Sequence, residues 1–276
     1  MRISFNKSVT ESLLAKIRSG EVMSRNEKFN LIIQLSIPSI LAQVTTVLMF
    51  YIDAGMVGSL GAEPSAAIGL VEPATWLFFS LVAAVTMGFS VQVAHFIGAN
   101  DFAKARAVMR HGYVFGLCFS FLLLLITFLI GFQLPVWLGG GADIQHDATC
   151  YFLIFSLIIP FHLIEYMSAA MLKVSGDMRR PSFMSILMCV LDVIFNYFFI
   201  FPTRTISVLG MEMTMPGLGA GVTGAALGSL LSFICVALPL AYYAIFRSPI
   251  LAWKLDVERF VWRWQYIWNA MKIGAP

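Results

Sequence analysis

The sequence has very little charge for its length. Only 12% of its 276 residues are charged, whereas 59% are hydrophobic, and the mean hydropathy is +0.83. Soluble domains carry about 25% charged residues, so this chain has too few polar side chains to cover a water-soluble globule. The 18 basic and 15 acidic residues nearly balance, which argues against a surface basic enough to bind nucleic acid. The composition therefore indicates a membrane protein.

Cysteine is also scarce, and its spacing excludes a disulfide framework or a cysteine-based metal site. Four cysteines lie far apart in or beside apolar stretches, and none forms a C-x-x-C pair. They are Cys118, Cys150, Cys189 and Cys235. We interpret them as buried free thiols, which behave as small hydrophobic side chains.

Long apolar stretches are abundant and predict membrane-spanning helices. A bilayer crossing needs about 20 mostly apolar helical residues. Six stretches reach that length, and they run approximately from Phe29 to Val57, Ala66 to Ile97, His111 to Leu134, Ala148 to Leu172, Pro181 to Pro202 and Gly219 to Phe246. A seventh begins near Trp264. The stretches are continuously apolar rather than alternating, which favours helices over barrel strands. We predict an all-α membrane protein: a six-transmembrane-helix bundle plus the start of helix seven.

The basic residues predict the orientation of this bundle. If the N-terminus is cytoplasmic, every lysine and arginine except Arg204 lies on the cytoplasmic side, which is the side that such residues mark. We therefore expect a cytoplasmic tail (1–28), a six-helix lobe (29–246), a cytoplasmic interfacial linker (247–265) and the start of a seventh helix (266–276). The expected location is the plasma membrane, as a multi-pass protein of a bacterial inner membrane.

The seventh stretch resembles the first. Aligned on Pro276 and Pro38, both stretches have a polar residue four positions earlier, Lys272 and Gln34 respectively. Such an echo is typical of a second copy of a six-helix unit. A helix that stops within hydrocarbon also leaves carbonyl groups without partners. We therefore expect this sequence to be a fragment, or to be cut short, so that a second, carboxy-terminal lobe is missing.

Four acidic residues lie within the predicted spans, where an ionisable side chain costs about 2.5–3.5 kcal/mol to insert. Asp192 is the strongest candidate for function because it lies near the middle of the fifth span. Asn196 follows one turn later on the same face. Carboxylate and amide oxygens suit a small hard cation or a proton. A protonated aspartic acid that is hydrogen-bonded to a neighbouring helix is the structural alternative.

Further polar candidates lie in the first and fourth spans. Asp53 is near the outer end of the first span, where a capping role is the alternative to a functional one. Gln43 and Pro38 precede it, and the proline allows either a simple entry kink or a gating bend. His162 and Glu165 have a spacing that can bind a metal, but a single pair is a weak signal. We interpret them as the polar lining of a substrate cavity.

Several short motifs in order resemble the MATE family, the multidrug and toxic compound extrusion transporters. They are Asp53-Ala-Gly-Met-Val-Gly58 with Leu60-Gly61, Gln92 with Gly98-Ala-Asn-Asp101, Gly176-Asp177 with Pro181, and Gly221-Val-Thr-Gly-Ala-Ala-Leu-Gly228. The resemblance covers roughly residues 29–276 and is to the amino-terminal half of the family. It implies twelve helices in two lobes and export of cationic or amphipathic compounds, driven by Na⁺ or H⁺. It implies no enzyme activity, and no cofactor beyond the coupling ion.

The resemblance also implies a cation site in this lobe. The family's first-helix and fifth-helix aspartates align with Asp53 and Asp192, and a sixth-helix hydroxyl residue aligns with Ser229. One departure concerns the asparagine that well-studied members carry one turn before the fifth-helix aspartate. That position is Met188 here, and Asn196 lies one turn after. Either Asn196 replaces the missing amide, or the site binds only a proton.

Three other functions remain open from the sequence. The main alternative is a flippase for a lipid-linked or other amphipathic substrate in the same wider superfamily. Such a protein usually needs a cationic cavity for pyrophosphate, whereas the spans here hold acids and almost no lysine or arginine. An intramembrane enzyme and a receptor or scaffold are the remaining alternatives. The expected partners are membrane lipid, a small cationic or amphipathic molecule and the missing lobe, with no nucleic acid.

Overall fold

The computed structural model describes residues 12, 13, 15, 16, 19, 21–208, 211–255 and 261–274. Parts of the predicted tail and linker, and Pro276 with its proposed echo of the first span, therefore lie outside the described residues. Within them the α-helices are α1 (Arg25–Gly58), α2 (Ala62–Gly98), α3 (Phe102–Gly131), α4 (Leu134–Trp137), α5 (Gln145–Ser156), α6 (Ile158–Val174), α7 (Arg179–Ile200), α8 (Gly221–Tyr242) and α9 (Trp264–Gly274).

The long helices confirm the predicted bundle. Across the described residues, five helices are long and apolar enough to cross a membrane: α1, α2, α3, α7, and α8 with its short extension to Arg247. Helices α5 and α6, which meet at a bend of 41°, are together long and apolar enough to count as a sixth candidate span. The chain is therefore a multi-pass membrane protein.

The bend in the fourth span was not predicted, because one straight helix from Ala148 to Leu172 was expected. The break falls at Leu157, whose N–H bonds to Ile154 O at 3.0 Å instead of one residue further back. Pro160 has no N–H to offer the Ser156 carbonyl four residues earlier, so the helical ladder is interrupted there. The Ser156 hydroxyl also donates to Phe152 O at 2.6 Å, a type of bond that often bends helices.

The third span begins nine residues earlier than the apolar pattern predicts, at Phe102 rather than His111. Asp101 caps this helix, because its side chain accepts a hydrogen bond of 3.1 Å from the Lys104 N–H. The first turns of α3 are polar, so a search for apolar stretches does not include them. The first span likewise begins at Arg25, where Ser24 forms a capping box.

An antiparallel hairpin interrupts the all-α architecture between α7 and α8. Strand β1 (Pro202–Val208) pairs with β2 (Met211–Leu218), with Thr205 opposite Thr214. Helix α7 stops before this hairpin because the residue that precedes a proline disfavours helical dihedrals. Phe201 is accordingly extended, with φ −95° and ψ 147°.

Glycines bring helices α7 and α8 close together. A Cβ at Gly224 would overlap the Phe199 carbonyl, and a Cβ at Gly228 would overlap the Asn196 side chain. The small-residue stretch that opens α8 therefore serves close helix packing, as its sequence indicates.

The interpretation of the cysteines as buried was wrong for two of them. All four are free thiols, but Cys118 and Cys235 are exposed on the surface of the bundle and Cys189 alone is fully buried. The outer surface of a membrane bundle is apolar, so a small hydrophobic side chain is placed there as readily as in the interior.

Candidate functional site

Helices α1 and α7 bring two carboxyl groups together around one amide. The Asn196 Nδ2 group donates one hydrogen bond to Asp53 Oδ1 and another to Asp192 Oδ2, each at 2.9 Å. The two carboxyl groups also lie within hydrogen-bonding reach of each other. Asp192 and Asn196 are adjacent because residues four apart lie one above the other on a helix. The structure thus brings together Asp53 and Asp192, the two aspartates that the family resemblance assigns to one cation site.

Protein encloses the α7 side of the cluster more completely than the α1 side. Asp192 and Asn196 are each only 1% exposed, and Asp53 is half-buried. Two buried oxygens, Asp192 Oδ1 and Asn196 Oδ1, have no hydrogen-bond partner among the described residues. Native structures rarely leave such atoms unpaired, so each one requires an explanation such as a role for an ion or water.

Helix α8 supplies hydroxyl groups to the same place. Ser229, which the family resemblance implicated, lies beside the Asp192 carboxyl group, and so does Ser232. Ser232 is fully buried and donates to Gly228 O at 2.8 Å, which leaves its lone pairs available. Ser232 was not among the residues predicted from the sequence. The signal was its spacing of three residues from Ser229, which places both hydroxyls on one face of α8.

Tyr151 of α5 also lies near the site and was not predicted. It packs against Val57, Ile200 and Ala225, which belong to α1, α7 and α8 respectively. Its ring stacks on Phe155 with 5.3 Å between the ring centroids, which fixes its direction. Nothing in the local sequence around Tyr151 marks this role, because tyrosine is common near the ends of membrane spans.

The position that carries an amide in well-studied relatives has a different environment here. Met188 lies one turn before Asp192 and packs with Ile158, Phe233 and Val236 in an apolar cluster. The only amide that contacts both carboxyl groups in the described part of the chain is therefore Asn196.

Two predicted residues of α1 lie away from the carboxyl pair. Gln43 is exposed and makes no hydrogen bond to any described residue. It precedes Asp53 by ten residues, about 15 Å along a straight helix. Pro38 precedes Asp53 by fifteen residues, about 22 Å along the continuous helix α1.

His162 and Glu165 form a separate polar region in α6. The His162 ring stacks on Phe79 with a centroid distance of 4.2 Å and meets the edge of Phe233 at 5.6 Å. Glu165 is 7% exposed, and it has no hydrogen bond or ion pair within the described residues. Neither residue is hydrogen-bonded to Asp53 or Asp192 there, so the structure gives two polar regions rather than one.

The Asp53–Asn196–Asp192 cluster can hold one positive charge. Two carboxylates in contact repel each other strongly unless a proton or a cation lies between them. The Asn196 amide must direct its N–H groups at them, because carboxylates only accept hydrogen bonds. The unpaired oxygens of Asp192 and Asn196 are hard ligands, of the kind that small hard cations and water prefer.

Comparisons with known proteins give a consistent result. The MatE family model matches residues 38–198, more than half of the chain. A probable multidrug resistance protein NorM of Neisseria meningitidis is 24% identical over 91% of this chain and 52% of its own length. The NorM protein of Agrobacterium fabrum is 27% identical over 90% of this chain and 51% of its own.

A solved structure has the same fold. It is described as the outward-facing conformation of a multidrug resistance MATE family transporter of the MOP superfamily. The TM-score is 0.78 at 23% identity, and the match covers 89% of this chain and 51% of that one. The chain thus spans about half the length of the relatives that it matches.

Proposed function

This chain belongs to the MATE family of membrane transporters, and from that premise we propose that it serves cation-coupled export of cationic or amphipathic drugs and toxins. Relatives over the same stretch are named for multidrug resistance or multidrug export. We propose that the chain acts as the amino-terminal lobe of such an antiporter, beside a second lobe of similar size. It is a transporter in this proposal, not an enzyme.

The observation that carries the proposal is the buried pair of aspartates. Asp53 and Asp192 come from different helices and meet at Asn196, where Asp192 and Asn196 are buried and Asp53 is half-buried. An uptake of positive charge at this pair changes the charge of the pocket. It therefore changes the affinity of the cavity for a cationic substrate, and a ligand shifts a conformational equilibrium by its differential affinity for the two states.

The two possible coupling ions make different demands on Asn196. A proton fits the arrangement as it stands, because it can lie between the two carboxyl groups while the amide donates to both. A bound Na⁺ needs oxygen ligands, so the amide must turn its Oδ1 toward the ion, with Ser229 as a further ligand. Drug export that a pH gradient alone can drive would identify the proton as the coupling ion. Drug export that a sodium gradient alone can drive would identify Na⁺.

The other predicted residues take secondary roles in this proposal. Pro38 and Gln43 belong to the gating part of α1, while His162 and Glu165 line the substrate cavity. The N-terminus is cytoplasmic, because nearly all basic residues then lie on that side, and the location is a bacterial inner membrane.

The test uses the full-length protein in cells that are sensitive to a cationic drug. We expect Asp192→Asn to abolish drug efflux while membrane insertion is retained, since the amide cannot take up the coupling charge. The control is Glu63→Gln, which removes an exposed carboxylate in the first turn of α2. Efflux at the wild-type rate by Asp192→Asn would show that another site couples transport.

A further inference from the structure

A cavity of about 480 Å³ opens between the first turn of α7 and the end of α8. Both segments lie at the end of the bundle opposite the β1–β2 hairpin, which is the cytoplasmic end in the proposed orientation. Two arginines line the cavity, Arg180 from α7 and Arg247 from the extension of α8. This cavity is separate from the aspartate pair, since Asp192 lies more than three helical turns further along α7.

The two arginines are held differently. The Arg180 guanidinium lies over the Tyr243 ring, 4.1 Å from its centroid, and pairs with Asp177. Arg247 is exposed and has no hydrogen bond or ion pair within the described part of the chain. Asp177 therefore balances Arg180, and Arg247 is the cavity arginine that has no acidic partner among the described residues.

The shape of the helix end positions Arg247. Residues Tyr243–Arg247 form a π-helical segment, which closes with a hydrogen bond of 2.9 Å from Ser248 N–H to Tyr243 O. Such wide turns occur frequently at functional sites. Here the turn places Tyr243 against Arg180 and leaves Arg247 at the rim of the cavity.

The remaining wall of the cavity is mainly apolar. Met184, Pro239 and Leu240 supply its aliphatic part, and Tyr242 and Tyr243 complete it. A fully aqueous anion would gain nothing from this surface, whereas a molecule with both a phosphate and hydrocarbon would contact both parts. Basic pockets between membrane helices on the cytoplasmic side bind the headgroups of anionic lipids.

We infer that this cavity binds the phosphate of an anionic glycerophospholipid, with Arg247 and Arg180 on the phosphate and the glycerol and first methylenes against Met184, Pro239 and Leu240. A phosphodiester carries one negative charge, which matches the charge of Arg247. Guanidinium groups suit this ligand because their fixed donors match phosphate oxygens.

The test measures lipid binding by native mass spectrometry of the full-length protein in detergent. Phosphatidylglycerol is the probe, phosphatidylcholine is the zwitterionic comparison, and inorganic phosphate tests the free anion. We expect Arg247→Gln and Arg180→Gln each to weaken phosphatidylglycerol binding by about fivefold, since a basic residue near the membrane surface contributes about 1 kcal/mol. Binding of phosphatidylcholine should be weaker than that of phosphatidylglycerol and nearly unchanged by either substitution.

Arg204→Gln is the matched control. Arg204 also lies over aromatic rings, 4.1 Å from the Phe201 centroid and 4.7 Å from that of Tyr197, but at the opposite end of the bundle. Equal loss in Arg204→Gln would show a general charge effect and overturn the inference. Unchanged lipid binding in a folded Arg247→Gln protein would do the same and would indicate that another protein segment covers the cavity. An Arg247-dependent site for inorganic phosphate without lipid binding would assign it to the free anion instead.

Discussion

The Asn196 amide lies 2.9 Å from Asp53 Oδ1 and so joins helix α7 to helix α1. Its second N–H donates to Asp192 on its own helix, so both donors of the amide are in use. One side chain thereby sets the separation of two carboxyl groups that belong to different helices. A metal cation such as Na⁺ that binds between them has to replace at least one of these hydrogen bonds, whereas a proton leaves both in place.

Replacement of Asn196 by alanine is expected to weaken both the packing and the transport. The variant leaves buried carboxyl oxygens without their donor, and a lost partner of this kind costs about 1–3 kcal/mol. We expect a lower thermal midpoint in detergent and a loss of drug efflux by the full-length protein. Ser185→Ala is the control on the same helix, because that hydroxyl donates only locally, to Pro181 O. A variant with wild-type stability and efflux would contradict the bridging role.

A methyl group at position 228 should force α8 away from α7. The added Cβ of Gly228→Ala overlaps the Asn196 side chain, and overpacking of this kind typically costs about 1–3 kcal/mol. The matched control is Gly69→Ala in α2, where a new Cβ has no described atom within 4 Å. Because alanine favours helix over glycine, the control should be unchanged or up to about 1 kcal/mol more stable. Equal thermal midpoints for the two variants would argue against close packing at Gly228.

The residues of the candidate site were predictable where their placement in an apolar span costs much free energy. A carboxylate within an apolar span stands out, so the sequence identifies Asp53 and Asp192, and helical spacing then identifies Asn196. Ser232 and Tyr151 do not stand out, because hydroxyl groups are inexpensive in helices. Their role depends on how α8 and α5 pack against α7, which the local sequence does not determine.

The fold was predictable at the level of spans and not within them. Apolar length identifies the helices, but the start of α3 depends on the cap at Asp101, and the bend at Leu157 depends on Pro160 three residues later. The β1–β2 hairpin was missed because its alternation is short and lies between two much stronger apolar signals.

The packing of α9 on α2 depends on a buried glutamine. Gln92 Nε2 donates to Tyr266 O at 3.0 Å and to Gly88 O at 3.1 Å. Gln92→Leu leaves both carbonyl groups without this donor, so we expect faster amide hydrogen exchange throughout α9. Gln43→Leu, at an exposed position of α1, is the control and should leave the exchange of α9 unchanged. Protection of α9 at the wild-type level in Gln92→Leu would show that the helix is held by other contacts.

The cap of α3 gives a prediction for the dependence of stability on pH. The Lys104 side chain, with help from its backbone N–H, lowers the pKa of Asp101 below its ordinary value. A lowered pKa in the folded state means that the carboxylate stabilises the fold at neutral pH. This contribution is lost as the pH falls below about 4 and through the folded pKa. Asp101→Asn keeps the cap but has no carboxylate, whereas Asp101→Ala loses both.

We therefore expect Asp101→Ala to lower the free energy of unfolding by about 0.5–2 kcal/mol at neutral pH, and Asp101→Asn to lower it by less. Because Asp101 lies at the surface, solvent screening keeps the ion-pair part of this effect small. Below about pH 4 the difference between the wild type and Asp101→Asn should shrink, since both then present an uncharged side chain. Thermal midpoints of the three proteins in detergent across this pH range measure the effect. A difference that grows as the pH falls would have the wrong sign for a carboxylate stabilised by Lys104.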